Sequence, residues 1–237
     1  MIYGSIKFVL YTLAIILTCN LLGFIISIIS IHFPLLQKFR IQKRKIKSNT
    51  FYNRLPLILF NIVLLMLVSG FGLYYLYFLF DPVLKLDVLI IIVQLLVILL
   101  VDDIYFYFLH FWMHANQYIL KTIHRIHHKA ITPVALEYIY VHPLEWLMGY
   151  IGPFIAIYLI SLFCPVSILA FWSYQLIRNI HELDVHSGFR SFFSKWIPFW
   201  GESEHHDLHH EKLNGNYATT FTIWDQIFKT KIQKNDK

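Results

Sequence analysis

Charged side chains and cysteines are scarce in this sequence, and both absences narrow its class. Only 14% of the 237 residues are charged whereas 57% are hydrophobic, and the mean hydropathy of +0.57 excludes an ordinary soluble globular protein. The two cysteines, Cys19 and Cys164, form no C-x-x-C pair, so neither a disulfide framework nor a thiolate metal site is supported. No G-x-G-x-x-G motif for a dinucleotide follows a predicted strand. We therefore predict an integral membrane protein.

The apolar residues fall into long runs that predict membrane helices. Residues 7–32 and 55–80 are each long enough to cross a bilayer, and a third run begins near residue 86 and continues without glycine or proline to His114. Two further runs, 145–163 and 166–183, predict a hairpin that enters the membrane and returns. No apolar run after residue 187 is long enough to span, which predicts a polar cap for that part of the chain.

The net charge of +6 comes largely from one short loop between the first two apolar runs. Because basic loops stay on the cytoplasmic side, this cluster is explained by membrane orientation, and no nucleic-acid recognition motif accompanies it. By parity, the end of the third helix also faces the cytoplasm. The basic residues of the loop are Lys38, Arg40, Lys43, Arg44, Lys45, Lys47 and Arg54.

Histidines are concentrated in one region of the chain. Of the 13, all except His32 lie between residues 110 and 210. They form an H-x3-H motif, an H-x2-HH motif nine residues later, and a second H-x2-HH motif near the end of the region. The remaining candidates in this region are His142, His181, His186 and His205. Such a concentration predicts nitrogen ligands for a metal.

The helical period suggests how these ligands are presented. His110 and His114 share one helix face, as do the three histidines of the first H-x2-HH motif, so each motif is predicted to point as a unit. Imidazole favours iron, zinc, copper or nickel over magnesium and calcium. Because at least eight candidate ligands exceed what one ion needs, the sequence predicts two ions.

Other polar residues are open to more than one interpretation. An H-E-x2-H zinc protease motif is disfavoured, because His181 and His186 are five residues apart and leave the shared helix face. Asp103 lies on the stripe of His110 and is predicted to orient a ligand imidazole from the second shell, whereas Asp102 points about 100° away and also fits a helix-end acid facing water.

The three histidine motifs resemble those of the sterol desaturase and fatty acid hydroxylase superfamily of membrane di-iron oxygenases. Within it, four further stretches are most similar to the sterol C4-methyl oxidases. These are LEYIYVHPLEW at 136–146, DVHSGF at 184–189, HHDLHH at 205–210 and GNYATTFTIWDQIF at 215–228.

The resemblance implies a site, cofactors and partners. It implies two iron ions with O2 as co-substrate, and electrons from NAD(P)H through cytochrome b5 or a similar carrier. The substrate would be a sterol, and the location an endoplasmic reticulum membrane in a eukaryote. His181 is included because some fatty acid hydroxylases carry a histidine there, and His142 and His205 are expected in the second shell. The implied ligands are His110, His114, His124, His127, His128, His181, His186, His206, His209 and His210.

We therefore expect an all-α integral membrane protein whose transmembrane helices carry a cytoplasmic, histidine-rich di-metal cap. Residues 1–97 form the predicted anchor, 98–230 the catalytic domain and 231–237 a polar tail. The expected activity is O2-dependent oxidation of a sterol C4 methyl group. Two alternatives stay open at this point. One is hydroxylation or desaturation of another lipid, such as a sterol side chain or a fatty acyl chain, and the other is a non-enzymatic metal-binding membrane protein.

Overall fold

A computed structural model describes residues 2–44, 48–191 and 193–232 of the chain. Lys45 and Lys47 of the basic loop and residues 233–237 of the predicted tail lie outside this described part. Its regular structure is helical, and its β-pairing consists of isolated bridges, which confirms the all-α prediction. Helices α1 to α10 cover Ile2–His32, Ser48–Leu76, Val88–Ala115, Gln117–Ile119, Arg125–His128, Pro143–Gly149, Ile151–Ser161, Ile168–Val185, Ser203–Lys212 and Ile223–Ile227. Four 3₁₀ turns cover Pro34–Phe39, Tyr77–Leu79, Ala135–Ile139 and Phe193–Lys195, and one π-helical turn covers Leu120–His124.

Four helical segments are long and apolar enough to cross a membrane: Tyr3–His32, Ser48–Leu79, Val88–Ala115 and Pro143–Ser161. The first three match the predicted spans. The predicted return arm is α8, which does not belong to this set because it carries Arg178, Glu182 and Asp184. The arm nevertheless returns to the histidines as predicted, because Nε2 of its C-cap residue His186 lies 3.5 Å from Nε2 of His127, and its charged residues Arg178 and Glu182 lie near His186.

Helix α3 is the centre of the packing, because it contacts both α7 and α8, while α1 packs against α2 and α8. Close approach of α7 to α3 depends on Gly152, since a Cβ there would collide with the Asp102 side chain. The buried apolar residues Ile98, Ala156 and Phe171 join α3, α7 and α8 in one cluster. This packing brings the C-terminal ends of α3 and α8 to the same end of the bundle.

The loop after α1 is fastened to that end by Arg40. Its guanidinium is buried and donates hydrogen bonds to Ser30 Oγ at 2.8 Å and to Pro133 O at 2.7 Å. The next residue continues the attachment, since Ile41 N donates to Gly188 O at 2.9 Å. At least this cation of the basic loop therefore serves to hold the cap, in addition to any role in membrane orientation.

Candidate metal centre

Four separate segments supply the histidines of the site. Helix α3 contributes its last two turns, and the π-helical turn with α5 contributes the first H-x2-HH motif. His186 is the C-cap residue of α8, and α9 carries the second H-x2-HH motif. All nine of these histidines are buried.

Their ring nitrogens converge in two groups, in each of which one nitrogen per residue lies within 4.8 Å of the others. The five-histidine group contains His110, His114, His124, His128 and His209, and the four-histidine group contains His127, His186, His206 and His210. Two clusters of donors agree with the prediction of two ions.

His110 and His114 lie in one group, in agreement with the prediction that they point as a unit, but each H-x2-HH motif is divided between the two groups, so the same prediction for the first H-x2-HH motif is wrong. In the first motif His124 and His128 belong to the five-histidine group, while His127 belongs to the other. In the second motif His206 and His210 belong to the four-histidine group, while His209 belongs to the five-histidine group. The reason is helical geometry: residues i and i+4 are offset by about 40°, whereas i+3 and i+4 are about 100° apart. The motif therefore straddles two sites.

The spacing of the nitrogens fits a bound metal. The Nε2 atoms of His114, His124 and His128 are separated by 2.9, 3.1 and 2.9 Å. Neighbouring ligands of an octahedral ion with bonds of about 2.1 Å lie about 3.0 Å apart. The nearest separations in the four-histidine group are 3.0, 3.1 and 3.5 Å. A cation at the centre of each set accepts a lone pair from every ring whose proton lies on Nδ1, as it does on His124 beside Glu145, so it suits this spacing.

Backbone carbonyls fix the orientation of two ligands in the five-histidine group. His110 Nδ1 lies 2.7 Å from Tyr217 O, and His209 Nδ1 lies 2.7 Å from Gly215 O. Because a carbonyl only accepts, Nδ1 must carry the proton and Nε2 is left with a lone pair. Both Nε2 atoms are buried and lack a hydrogen-bond partner among the described residues, as expected of nitrogens that await a metal.

Glu145 is a functional residue that the sequence reasoning did not select. Its Oε1 lies 2.8 Å from His124 Nδ1, and both side chains are buried. This is the carboxylate–histidine pairing that orients metal ligands and raises their basicity. Glu145 belongs to the HPLE segment, three residues after His142. The sequence analysis selected this segment for its histidine, whereas the residue that contacts a metal-site histidine is the glutamate.

Burial keeps the imidazoles neutral. It lowers the pKa of His124 from 6.5 to about 3 and that of His127 to about 4. For His206 and His210, burial also lowers the pKa well below 6.5, and the neighbouring histidines lower it further. A metal binds the neutral ring, so these groups are available as ligands throughout the physiological pH range.

His181, predicted as a ligand from the resemblance, lies outside both groups. Its Nε2 is 3.1 Å from Thr219 O, and its ring packs edge-on against Trp200 at 4.5 Å between centroids. Burial lowers its pKa to about 3. It is thus placed as a neutral residue that supports the cap.

The three predicted second-shell residues are placed differently from one another. Asp103 accepts hydrogen bonds from Thr220 N, Phe221 N and Trp224 Nε1, so it fastens the segment that precedes α10 to α3 rather than contacting an imidazole. His142 caps α6 by accepting from Leu144 N.

His205 follows the same pattern of support within the cap. Its Nε2 lies 3.1 Å from Asp225 Oδ2. The same carboxylate accepts from Tyr217 N at 2.9 Å and from Ala218 N at 3.0 Å. His205 therefore reaches the centre indirectly, because Tyr217 supplies the carbonyl that holds His110.

A cavity of about 140 Å³ adjoins both groups on the side of the membrane helices. Ile16 and Leu65, at mid-length in α1 and α2, line its far part, and His110, His124 and His186 line its near part. This volume is smaller than the roughly 300 Å³ of a typical ligand pocket, so it fits the reacting end of a larger lipid. The cavity leads from the apolar bundle to the metal centre.

Charged residues border this cavity beside the four-histidine group. Arg178 Nε lies 3.2 Å from Asp102 Oδ2, its other side contacts Glu182, and Glu182 Oε2 is 3.4 Å from His186 Nδ1. Tyr174 donates to the same Asp102 oxygen at 2.8 Å. Asp102 is buried, so its interpretation as an acid facing water is wrong: its partner is the cation on α8.

The model of the fatty acid hydroxylase family matches residues 95–230. Methylsterol monooxygenase 1 of Rattus norvegicus is 42% identical over 135 residues, or 56% of this chain and 44% of that protein. The protein of the same name from Gallus gallus is 38% identical over 135 residues, which are again 56% of this chain and 44% of that protein. The protein of that name from Danio rerio is 32% identical over 209 residues, which are 85% of this chain and 70% of that protein. The matched region thus spans less than half of the rat and chicken proteins. No solved structure matches the chain.

Proposed function

Because this chain belongs to the fatty acid hydroxylase family, we propose that it is a membrane monooxygenase that oxidises the C4 methyl group of a sterol. The observation that carries the proposal is the pair of histidine groups placed at the end of a cavity that opens from the membrane helices. The names of the similar proteins, all methylsterol monooxygenases, supply the substrate class.

The nine histidines of the two groups would hold two iron ions, and His181 is not needed for either. When bound, the irons supply the reduction of O2 and the cleavage of an unactivated C–H bond. Five donors in one group and four in the other leave positions free on ions that prefer six ligands, which a catalytic centre requires.

The protein's own residues provide the environment for this chemistry. The carbonyls of Tyr217 and Gly215 and the carboxylate of Glu145 hold ligand rings in one tautomer, so that each presents a lone pair. Ile16, Leu65 and Pro153 line the cavity with apolar surface, which excludes water from the reacting carbon. A membrane-dissolved substrate reaches such a site without passing through water.

The remaining features of the proposal rest on the family resemblance and on the basic loop between the first two apolar runs. Residues 98–230 would form the catalytic domain, with residues 1–97 as its membrane anchor. Electrons would arrive from NAD(P)H through cytochrome b5 or a similar carrier at the cap, which would face the cytoplasm. In a eukaryotic cell the enzyme would lie in the endoplasmic reticulum.

The proposal is tested by a lipid profile of membranes that contain the wild type or His127→Ala, supplied with 4-methyl sterols, air and a reductase system. We expect oxidised sterol with the wild type only, and fragmentation should place the oxygen on the C4 methyl group. His32→Ala is the matched control, because His32 is exposed, hydrogen-bonds to Tyr52 Oη and belongs to neither histidine group. Equal products from His127→Ala and the wild type would refute the metal assignment, and oxygen on the side chain would refute the substrate position.

A further inference from the structure

Three polar side chains of α1, α8 and the 3₁₀ turn Ala135–Ile139 meet at the wall of the cavity. Tyr138 Oη lies 3.0 Å from Asn20 Oδ1 and 3.4 Å from Asn179 Oδ1. Tyr138 and Asn179 both line the cavity, and Asn20 is buried behind them at mid-length in α1. A polar residue at that depth in a membrane helix is costly, so its presence points to a function.

The hydrogen-bond inventory of this cluster is unbalanced. Asn20 Nδ2 donates to Ile16 O at 2.9 Å and Asn179 Nδ2 donates to Gln175 O at 2.7 Å, which orients both amide oxygens toward Tyr138. The tyrosine has one hydroxyl proton and therefore serves only one of the two oxygens at a time. Among the described residues, one of the two amide oxygens is therefore left without a donor at any moment, and the tyrosine oxygen retains lone pairs.

An alcohol group completes this arrangement. A hydroxyl that enters the cavity donates its proton to the free amide oxygen of Asn179, and Tyr138 then donates to either the alcohol or Asn20. A carboxylate or a ketone supplies no proton and would leave the imbalance in place. The chemistry of the cluster thus selects a neutral ligand that both donates and accepts.

A second polar cluster in the same cavity lacks this property. Tyr150 Oη lies 2.7 Å from Ser69 Oγ and receives a hydrogen bond from Gln175 Nε2 at 3.4 Å. Tyr150 Oη accepts from an amide donor and shares its other hydrogen bond with a second hydroxyl, so two acceptors do not compete for its proton as they do at Tyr138.

The position of the unbalanced cluster relates it to the metal centre. The ring centroids of Tyr138 and His186 are 6.3 Å apart, so the cluster lies beside the four-histidine group. In a sterol, the carbon that bears the hydroxyl is bonded directly to C4. A sterol whose hydroxyl is held here therefore presents its C4 substituents within reach of the histidine groups.

We propose that Tyr138 and Asn179, supported by Asn20, form the binding site for the hydroxyl group of the sterol and thereby select the C4 position for oxidation. This inference rests on the proposed function and adds to it the residues that orient the substrate. The cavity takes the hydroxyl-bearing end of the sterol, and the position of the hydroxyl fixes which carbon faces the histidine groups.

The test compares a 4-methyl sterol with its 3-deoxy analogue, measuring kcat/KM in detergent-solubilised enzyme that contains iron. For the wild type we expect the hydroxylated substrate to be favoured about 10- to 100-fold, the effect of two neutral hydrogen bonds. Tyr138→Phe and Asn179→Leu should each reduce this preference to a few-fold, by slowing the hydroxylated substrate and not the deoxy analogue. Tyr150→Phe, the same substitution in the same cavity, should leave the preference unchanged.

The outcomes separate this inference from the proposed function. A wild type that oxidises both sterols equally would overturn the hydroxyl site while leaving the sterol oxidase intact. A strong preference that survives both Tyr138→Phe and Asn179→Leu would overturn it as well. Absence of sterol oxidation by the iron-loaded wild type would refute the proposed function and this inference together. The iron content of each variant verifies its folding, and if Tyr138→Phe loses iron, Asn179→Leu provides the measurement.

Discussion

Replacing Glu145 by leucine is expected to weaken iron binding in the five-histidine group about 10- to 100-fold. Glu145 Oε1 lies 2.8 Å from His124 Nδ1, and the two side chains are only 5% and 1% exposed. A hydrogen bond to a charged partner contributes about 1.5–3 kcal/mol, which corresponds to roughly that change in affinity. The loss arises because His124 no longer has an acceptor that holds its ring in the metal-binding tautomer.

The assay is the iron content of the purified protein, followed during incubation with a ferrous chelator. Glu145→Gln keeps an acceptor without the charge and should lose iron more slowly than Glu145→Leu. Glu211→Leu is the control, because Glu211 is exposed on α9 next to His210. If Glu145→Leu retains both irons as long as the wild type does, the pairing with His124 is unimportant for the metal and the reasoning fails.

Three other substitutions and one pH dependence test the positions of individual residues. His209→Ala should remove iron from the five-histidine group, whereas His181→Gln should retain both irons, as measured by metal analysis. Burial lowers the pKa of His181 from 6.5 to about 3, so between pH 7 and pH 5 the unfolded chain takes up a proton at this residue that the folded protein excludes. The metal-free protein should therefore lose about 2 kcal/mol of unfolding free energy over this pH range from His181 alone. A smaller pH dependence of unfolding in His181→Gln would bear this out, and an unchanged one would contradict it. Asp103→Ala leaves three hydrogen-bond donors without their acceptor and should lower the free energy of unfolding by about 3 kcal/mol or more. The measurement is thermal melting in detergent, and a melting temperature equal to that of the wild type would refute this role of Asp103.

The sequence was sufficient for the spans and for the convergence of the three histidine motifs, because both depend on local patterns, whereas His186 entered the predicted set only through the family resemblance and His181 entered it wrongly. Apolar runs and helical spacing are properties of neighbouring residues, so α1, α2 and α3 followed directly. Helical geometry accounts for the division of each H-x2-HH motif, but the group that His127 or His209 joins did not follow from the sequence, since it depends on how α5 faces α9. That register is set by packing between distant segments.

The errors in the outer part of the site have a related origin. Asp102 and Asp103 are adjacent in α3 and look alike in sequence, yet one pairs with Arg178 on α8 and the other binds the backbone before α10. The role of a carboxylate depends on the group that it contacts in the folded protein, which the sequence does not give. Glu145 was missed for the same reason, because its partner His124 is 21 residues earlier in the chain.

The distribution of ligands along the chain has a consequence for biosynthesis. The five-histidine group includes both His110 and His209, and the four-histidine group includes both His127 and His210. Neither group is complete on the nascent chain until α9 has been made, whereas every helical segment long and apolar enough to cross a membrane among the described residues precedes α9. A chain truncated before α9 would therefore keep these segments but would lack His209 from one group and both His206 and His210 from the other.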